Sequence, residues 1–147
     1  MLKEDGVAEF RVLLIDDFEP FRQFLARLLE NKSELRIVGE ESDGMEAVKR
    51  ATELQPDLIV LDIGLPTIHG IEAARRIRSS SPRSKIIFVS SESSVDIVEG
   101  VMTEGASGYV VKNDAQQDFL PAVDAVLRGG RFVGSRFSSH VLQETSG

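Results

Sequence analysis

The chain has no cysteine, and that single absence removes disulfides, thiolate metal sites and cysteine nucleophiles together. Histidine is nearly as scarce. His69 and His140 stand far apart in sequence, and a zinc site would need a third or fourth good ligand. The longest apolar runs are strand-sized, so nothing reads as a membrane-spanning helix. The opening Met1-Leu2-Lys3-Glu4-Asp5-Gly6 is acidic and lacks the apolar stretch of a signal peptide, and the expectation is a soluble, cytoplasmic protein. Positive charge is also short: 17 Lys and Arg face 24 Asp and Glu, a net charge of −7. That balance repels phosphate backbones and argues against nucleic-acid binding by this chain alone.

What is present fits one domain. A chain of 147 residues can bury a core without staples, and its apolar share of 41% and charged share of 28% are ordinary for a globular protein. Short, nearly continuous apolar runs read as strands buried on both faces, as in a parallel sheet. The clearest are Val12-Leu13-Leu14-Ile15, Leu58-Ile59-Val60-Leu61 and Ile86-Ile87-Phe88-Val89. Leu35-Arg36-Ile37-Val38 carries a charge and suits an edge, and Tyr109-Val110-Val111 follows the turn-forming Gly105 and Gly108.

Between the runs lie helical stripes. Phe21, Phe24, Leu25 and Leu28 make the first, with Pro20 in its first turn. Ala47, Val48, Ala51 and Leu54 make the second, ended by Pro56; Ile71, Ala74 and Ile77 the third. Val95, Val98, Val101 and Met102 suggest a less sharply patterned fourth. Phe119, Ala122, Val123, Val126 and Leu127 make the fifth and cleanest. Strands alternating with helices predict a doubly wound (βα)5 sandwich around a five-stranded parallel sheet. The expected divisions are a tail over 1–10, the domain over 11–128 and a linker over 129–147, with no sixth unit after Leu127.

Ligands of open α/β sheets bind beyond the carboxyl ends of the strands. The first run ends in Asp16-Asp17, the third in Asp62, the fourth in Ser90-Ser91 and the fifth in Lys112. One rim of such a sheet would hold three carboxylates, a hydroxyl and an ammonium. Crowded carboxylates repel, and a hard divalent ion such as Mg²⁺ relieves them while leaving positions for water and phosphate oxygens. A carboxylate oxygen beside it can attack phosphorus, and Mg²⁺, Lys112 and Ser90 would stabilise the equatorial oxygens of the transferring group.

The runs Leu14-Ile15-Asp16-Asp17, Leu61-Asp62-Ile63-Gly64-Leu65-Pro66, Phe88-Val89-Ser90-Ser91 and Gly108-Tyr109-Val110-Val111-Lys112 resemble the signature of response-regulator receiver domains, over about Arg11 to Leu127. The resemblance implies the flavodoxin-like, CheY-like fold. It also implies Asp62 as phospho-acceptor, an acidic pair Asp16 and Asp17 with Asp17 a direct Mg²⁺ ligand, and the Gly64 carbonyl completing the metal site. Lys112 would pair with the phosphate, Ser90 would be the hydroxyl switch and Tyr109 its aromatic partner. Glu92 and Gly64 are candidates for setting the lifetime of the aspartyl phosphate. Lys112 is followed by Asn113-Asp114 where other branches carry proline. The implied partners are a sensor histidine kinase or phosphotransfer protein, and a second copy on phosphorylation. Val126 to Val133 is similar to the end of receivers that continue into a LuxR-type DNA-binding helix-turn-helix, so DNA would be reached only through such a module.

Each residue also has a plainer reading. Asp17 alone would serve as a helix cap, Ser90 and Ser91 as turn residues, Lys112 as a snorkelling side chain and Tyr109 as sheet packing. Taken together on one rim, those readings require five coincidences. His69 reads as a solvated side chain, and Pro66 and Gly70 as loop-shaping residues. A phosphate-independent docking scaffold is countered by the presence of both Asp62 and Lys112. A phosphatase would need a second acid two residues after the nucleophile, where this chain has Gly64.

Overall fold

A computed structural model describes residues 9–137. The chain divides into two compact units between Ser84 and Lys85, and each follows from its own sequence.

The first unit holds three strands and three helices: β1 (Phe10–Ile15), α1 (Glu19–Glu30), β2 (Leu35–Glu41), α2 (Gly44–Leu54), β3 (Leu58–Leu61) and α3 (Gly70–Ser80). β1 pairs in parallel with β2 on one side and β3 on the other. The apolar runs of β1 and β3 are fully buried, which is why they read as unbroken Val, Leu and Ile rather than alternating. β2 keeps its charges because only part of it is covered, and a register shift opposite Val12/Leu13 lets it bend. Pro20 stands at the start of α1, where no backbone donor is lost. Asp43 caps α2 by accepting from the Glu46 N–H at 2.8 Å.

The second unit holds β4 (Lys85–Ser90), α4 (Val95–Thr103), β5 (Gly108–Val111), α5 (Ala115–Leu127) and a two-residue β6 (Phe132–Val133). β5 pairs in parallel with β4 and β6. Phe119, Ala122, Val123 and Val126 of α5 are buried, as the helical stripe predicts, together with Asp118, which it does not.

The C-terminal segment departs from expectation. Among the described residues there is one strand more than the five expected, and from residue 129 as far as Phe137 the expected linker carries structure. Gly129, with φ of 92°, ends α5 in the left-handed region that glycine enters without strain. β6 then lies along β5, and a 3-10 turn over Ser135–Phe137 buries Phe137 to 3% exposure. Arg136 pairs with Asp114 through bonds of 2.7 and 2.9 Å. That hydrogen bond, with the charge of Asp114 behind it, raises the guanidinium above its ordinary value. The expected tail up to residue 8, and the remainder of the expected linker with His140, lie outside the described residues.

Candidate functional site

The three acids come together within the first unit. Asp16 follows the last residue of β1 and Asp62 the last residue of β3, and these two neighbouring parallel strands end level with one another. Asp16 is 2% exposed and Asp62 7%, while Asp17 is open to solvent. One carboxylate oxygen from each of Asp16, Asp17 and Asp62 lies within 4.8 Å of the others. The backbone fixes the pair at the strand ends: Asp16 N–H donates to the Glu41 carbonyl at 3.1 Å and Asp62 N–H to the Ile15 carbonyl at 3.1 Å. Their side chains are oriented too. Asp16 Oδ1 accepts from the Phe18 N–H at 2.8 Å, and Asp62 Oδ1 from the Ile63 N–H at 2.7 Å. The Arg22 guanidinium donates to the Asp16 carbonyl at 2.7 Å, bracing the turn from α1.

The plainer reading of Asp17 does not hold in this arrangement. α1 begins after Phe18, which has no side-chain capping bond, and Asp17 stands one residue earlier with its carboxylate in the cluster. Phe18 itself is 60% exposed, a large apolar side chain beside the acids.

The loop after Asp62 is shaped by close backbone approach. Gly70 N–H donates to the Ile63 carbonyl at 2.6 Å, and a Cβ on Gly70 would stand 2.0 Å from the Asp62 carbonyl oxygen. Gly64, by contrast, is exposed, and a Cβ there would meet nothing within 4 Å. Thr67 has a φ of 68°, which is strained for a β-branched residue. Its hydroxyl accepts from the Met45 N–H at 3.0 Å and donates to Asp43 Oδ1 at 3.2 Å. His69 is the N-cap of α3, its Nδ1 accepting from the Ile71 N–H at 3.5 Å. A capping role, not expected from the sequence, accounts for it.

A second group forms within the second unit. Ser90, the last residue of β4, is 3% exposed, and its Oγ accepts from the Glu92 N–H at 3.1 Å. Tyr109 in β5 is fully buried, and its hydroxyl donates to the Glu92 carbonyl at 2.8 Å. Ser90 and Tyr109 thus meet through the backbone of Glu92, a bridge the sequence did not signal because it uses main-chain groups. Lys112 follows β5 directly and opens a 3-10 turn over Lys112–Asp114, half-buried at the carboxyl end of its strand.

The donor set of the acid cluster is wholly oxygen. Two of its members are buried and a third is exposed at its edge, an arrangement suited to a hard divalent cation with water at its remaining positions. The residues present fit such an ion. Among the described residues no helix is long and apolar enough to cross a membrane.

Comparison with known proteins agrees with the motifs. Residues 12–124 match the family model of the response regulator receiver domain. The transcriptional regulatory protein LiaR of Bacillus subtilis is 37% identical over 132 residues, covering 90% of this chain and 63% of that protein. The response regulator UvrY of Escherichia coli is 36% identical over 124 residues, covering 84% of this chain and 57% of that protein. A LuxR-family two-component response regulator from Aurantimonas has a solved structure similar to 95% of this chain and all of its own, with a TM-score of 0.86 at 29% identity. The chain spans about three fifths of the length of such curated relatives. Fold, motifs and relatives agree on a doubly wound α/β signalling domain: the chain belongs to the response-regulator receiver domain family of two-component systems.

Proposed function

We propose that Asp62 accepts a phosphoryl group from a sensor histidine kinase or phosphotransfer protein in the cytoplasm, and that Asp16, Asp17 and Asp62 hold Mg²⁺ for the transfer. The observation that carries this reading is the convergence of the three carboxylates at the ends of β1 and β3. The Gly64 carbonyl is proposed as a further metal ligand from the acceptor loop. Bound there, the cation would offset the charge of the cluster and of the phosphoryl oxygens.

The chain's own residues supply the rest. Asp62 Oδ1 is already engaged with the Ile63 N–H, which orients the carboxylate while an oxygen attacks phosphorus. The donor's P–N bond breaks as the P–O bond forms, and the donor imidazole retains the electron pair and takes a proton. Lys112 and Ser90, each at the carboxyl end of its strand, are proposed to donate to the phosphoryl oxygens. Drawn toward the phosphoryl group, Ser90 would keep its bond from the Glu92 N–H, because its Oγ accepts there while its hydroxyl proton is given to a phosphoryl oxygen. Glu92 is also the partner of Tyr109, so the pull reaches the aromatic switch. Glu92 and Gly64 are proposed to set the lifetime of the acyl phosphate. The domain would catalyse its own phosphorylation and dephosphorylation and no other reaction.

Relatives named as transcriptional regulatory proteins, together with the three-fifths coverage, favour an output in transcription through a LuxR-type helix-turn-helix beyond the receiver, with dimerisation on phosphorylation. The test is a Mg²⁺ titration followed by acetyl phosphate, read by intact mass. Metal-dependent gain of one phosphoryl group supports the reading. Binding and phosphorylation that survive in Asp17→Asn and in EDTA would sink the metal assignment.

A further inference from the structure

The segment Arg131–Phe137 makes contacts that a linker does not need. Phe132 N–H donates to the Ser107 carbonyl at 3.0 Å and Gly134 N–H to the Tyr109 carbonyl at 2.7 Å, so it adds to the edge of β5 at the switch residue itself. Arg131 donates to the Met102 carbonyl at 2.5 Å and the Ala106 carbonyl at 3.4 Å, closing the carboxyl end of α4. Ser135 donates from its N–H at 3.2 Å and its hydroxyl at 3.3 Å to Asp118, a carboxylate of α5 that is only 5% exposed. Arg136 forks onto Asp114, two residues past Lys112. At the centre, the Phe137 ring stands edge-on to the Tyr109 ring, 6.3 Å between centroids at 86°. Phe88 packs on Tyr109 as well, at 6.3 Å.

The buried position of Tyr109 is therefore held at both ends. Its hydroxyl is bound to Glu92, whose N–H reaches Ser90, and its ring packs on Phe137. We propose that Arg131–Phe137 is a strap that reads the Tyr109 side chain: a seated Phe137 favours the inward tyrosine, whose hydroxyl holds Glu92 and through it the Ser90 hydroxyl that would donate to the phosphoryl group, so the seated strap and the phosphorylated state stabilise each other. The proposal rests on the reading of Asp62 as acceptor and of Ser90 and Tyr109 as its switch. Phe137 is then a positioning residue, acting on the phosphoryl site through Tyr109. The coupling is reciprocal, because a strap that raises affinity for the phosphoryl group is itself held more firmly when that group is present. Edge-to-face aromatic pairs carry an effect of about two- to tenfold in an equilibrium constant. The chain after Phe137 is attached directly to this contact, so the strap is also a route for the signal to leave the domain.

Tyr109 is the one tyrosine in a chain without tryptophan, so intrinsic fluorescence reports on it alone. The experiment titrates beryllofluoride in Mg²⁺ against the unaltered chain and Phe137→Ala, taking the midpoint rather than the amplitude. Amide exchange at Gly134, Ser135 and Phe137 is followed in the unaltered chain with and without beryllofluoride. The expected results are a midpoint raised about two- to tenfold in Phe137→Ala and exchange slowed by a similar factor on binding. Should Phe137→Ala fail to fold, the exchange measurement decides. If the unaltered chain responds, yet the midpoint and the strap exchange stay unchanged, the acceptor reading stands and the strap is overturned. If the unaltered chain gives no response at all, the acceptor reading fails and takes the strap with it.

Discussion

Gly70→Ala is the perturbation whose effect the geometry fixes most tightly. The added Cβ would lie 2.0 Å from the Asp62 carbonyl oxygen and 2.7 Å from Ile63 Cα, both backbone atoms with no rotamer to yield. A relaxed carbon–oxygen contact is about 3.3 Å, so the start of α3 must move away from the acceptor loop by roughly 1 Å or more. That movement stretches the Gly70 N–H bond to the Ile63 carbonyl, now 2.6 Å. Overpacking of this kind costs about 1–3 kcal/mol, against a helix-propensity gain for Ala of at most about 1 kcal/mol. With a urea slope of about 1–3 kcal/mol/M, the net loss lowers the unfolding midpoint by up to roughly 1–2 M. The same displacement acts on Asp62, and a misplacement near 1 Å can reduce a positioned reaction by about 100-fold. Urea unfolding and the rate of phosphorylation by acetyl phosphate measure the two consequences. Gly100→Ala in α4 is the paired control, since its Cβ meets nothing within 4 Å and the residue has no part in the proposed site. If Gly70→Ala matched the control in both assays, the close approach of α3 to the acceptor loop would not be a constraint.

Three other outcomes are expected. Gly100→Ala, in the interior of α4 with no atom within 4 Å of the new Cβ, should stabilise the fold by about 0.5–1 kcal/mol, read as a higher thermal midpoint. Phe119→Ala removes a fully buried ring from α5 and should lose about 3–5 kcal/mol in chemical denaturation. Asp16→Asn keeps an acceptor for the Phe18 N–H, bonded at 2.8 Å in the native chain, but removes a charge from the cluster. Calorimetric titration should therefore show weaker Mg²⁺ binding with the unfolding midpoint nearly unchanged.

The parts of the fold legible in the sequence are those whose burial is complete on both faces. Leu58-Ile59-Val60-Leu61 could not be anything but an interior strand once bounded by Pro56 and Asp62, and Pro20 marked the start of α1. The acids were legible for the same reason, since a charge directly after such a run must sit at the strand's lip. The strap was not legible. β6 has only two residues, and its apolar character is split by Gly134, Ser135 and Arg136, so no period appears. Phe137 is buried because Tyr109 and Asp118 wait for its segment, and that complementarity exists only after folding. Asp118 was hidden likewise: on a helix stripe a carboxylate reads as solvated until Ser135 is seen to bind it. The main-chain bridge from Ser90 to Tyr109 through Glu92 leaves no mark in side-chain identity at all.

The most direct test of the central claim is to locate the phosphoryl group. After reaction with acetyl phosphate and Mg²⁺, borohydride reduction of the acyl phosphate and peptide mass mapping identify the modified carboxylate. The account predicts reduction at Asp62 alone, absent in Asp62→Asn and absent in EDTA. Modification at another acid, or equal labelling of Asp62→Asn, would contradict it.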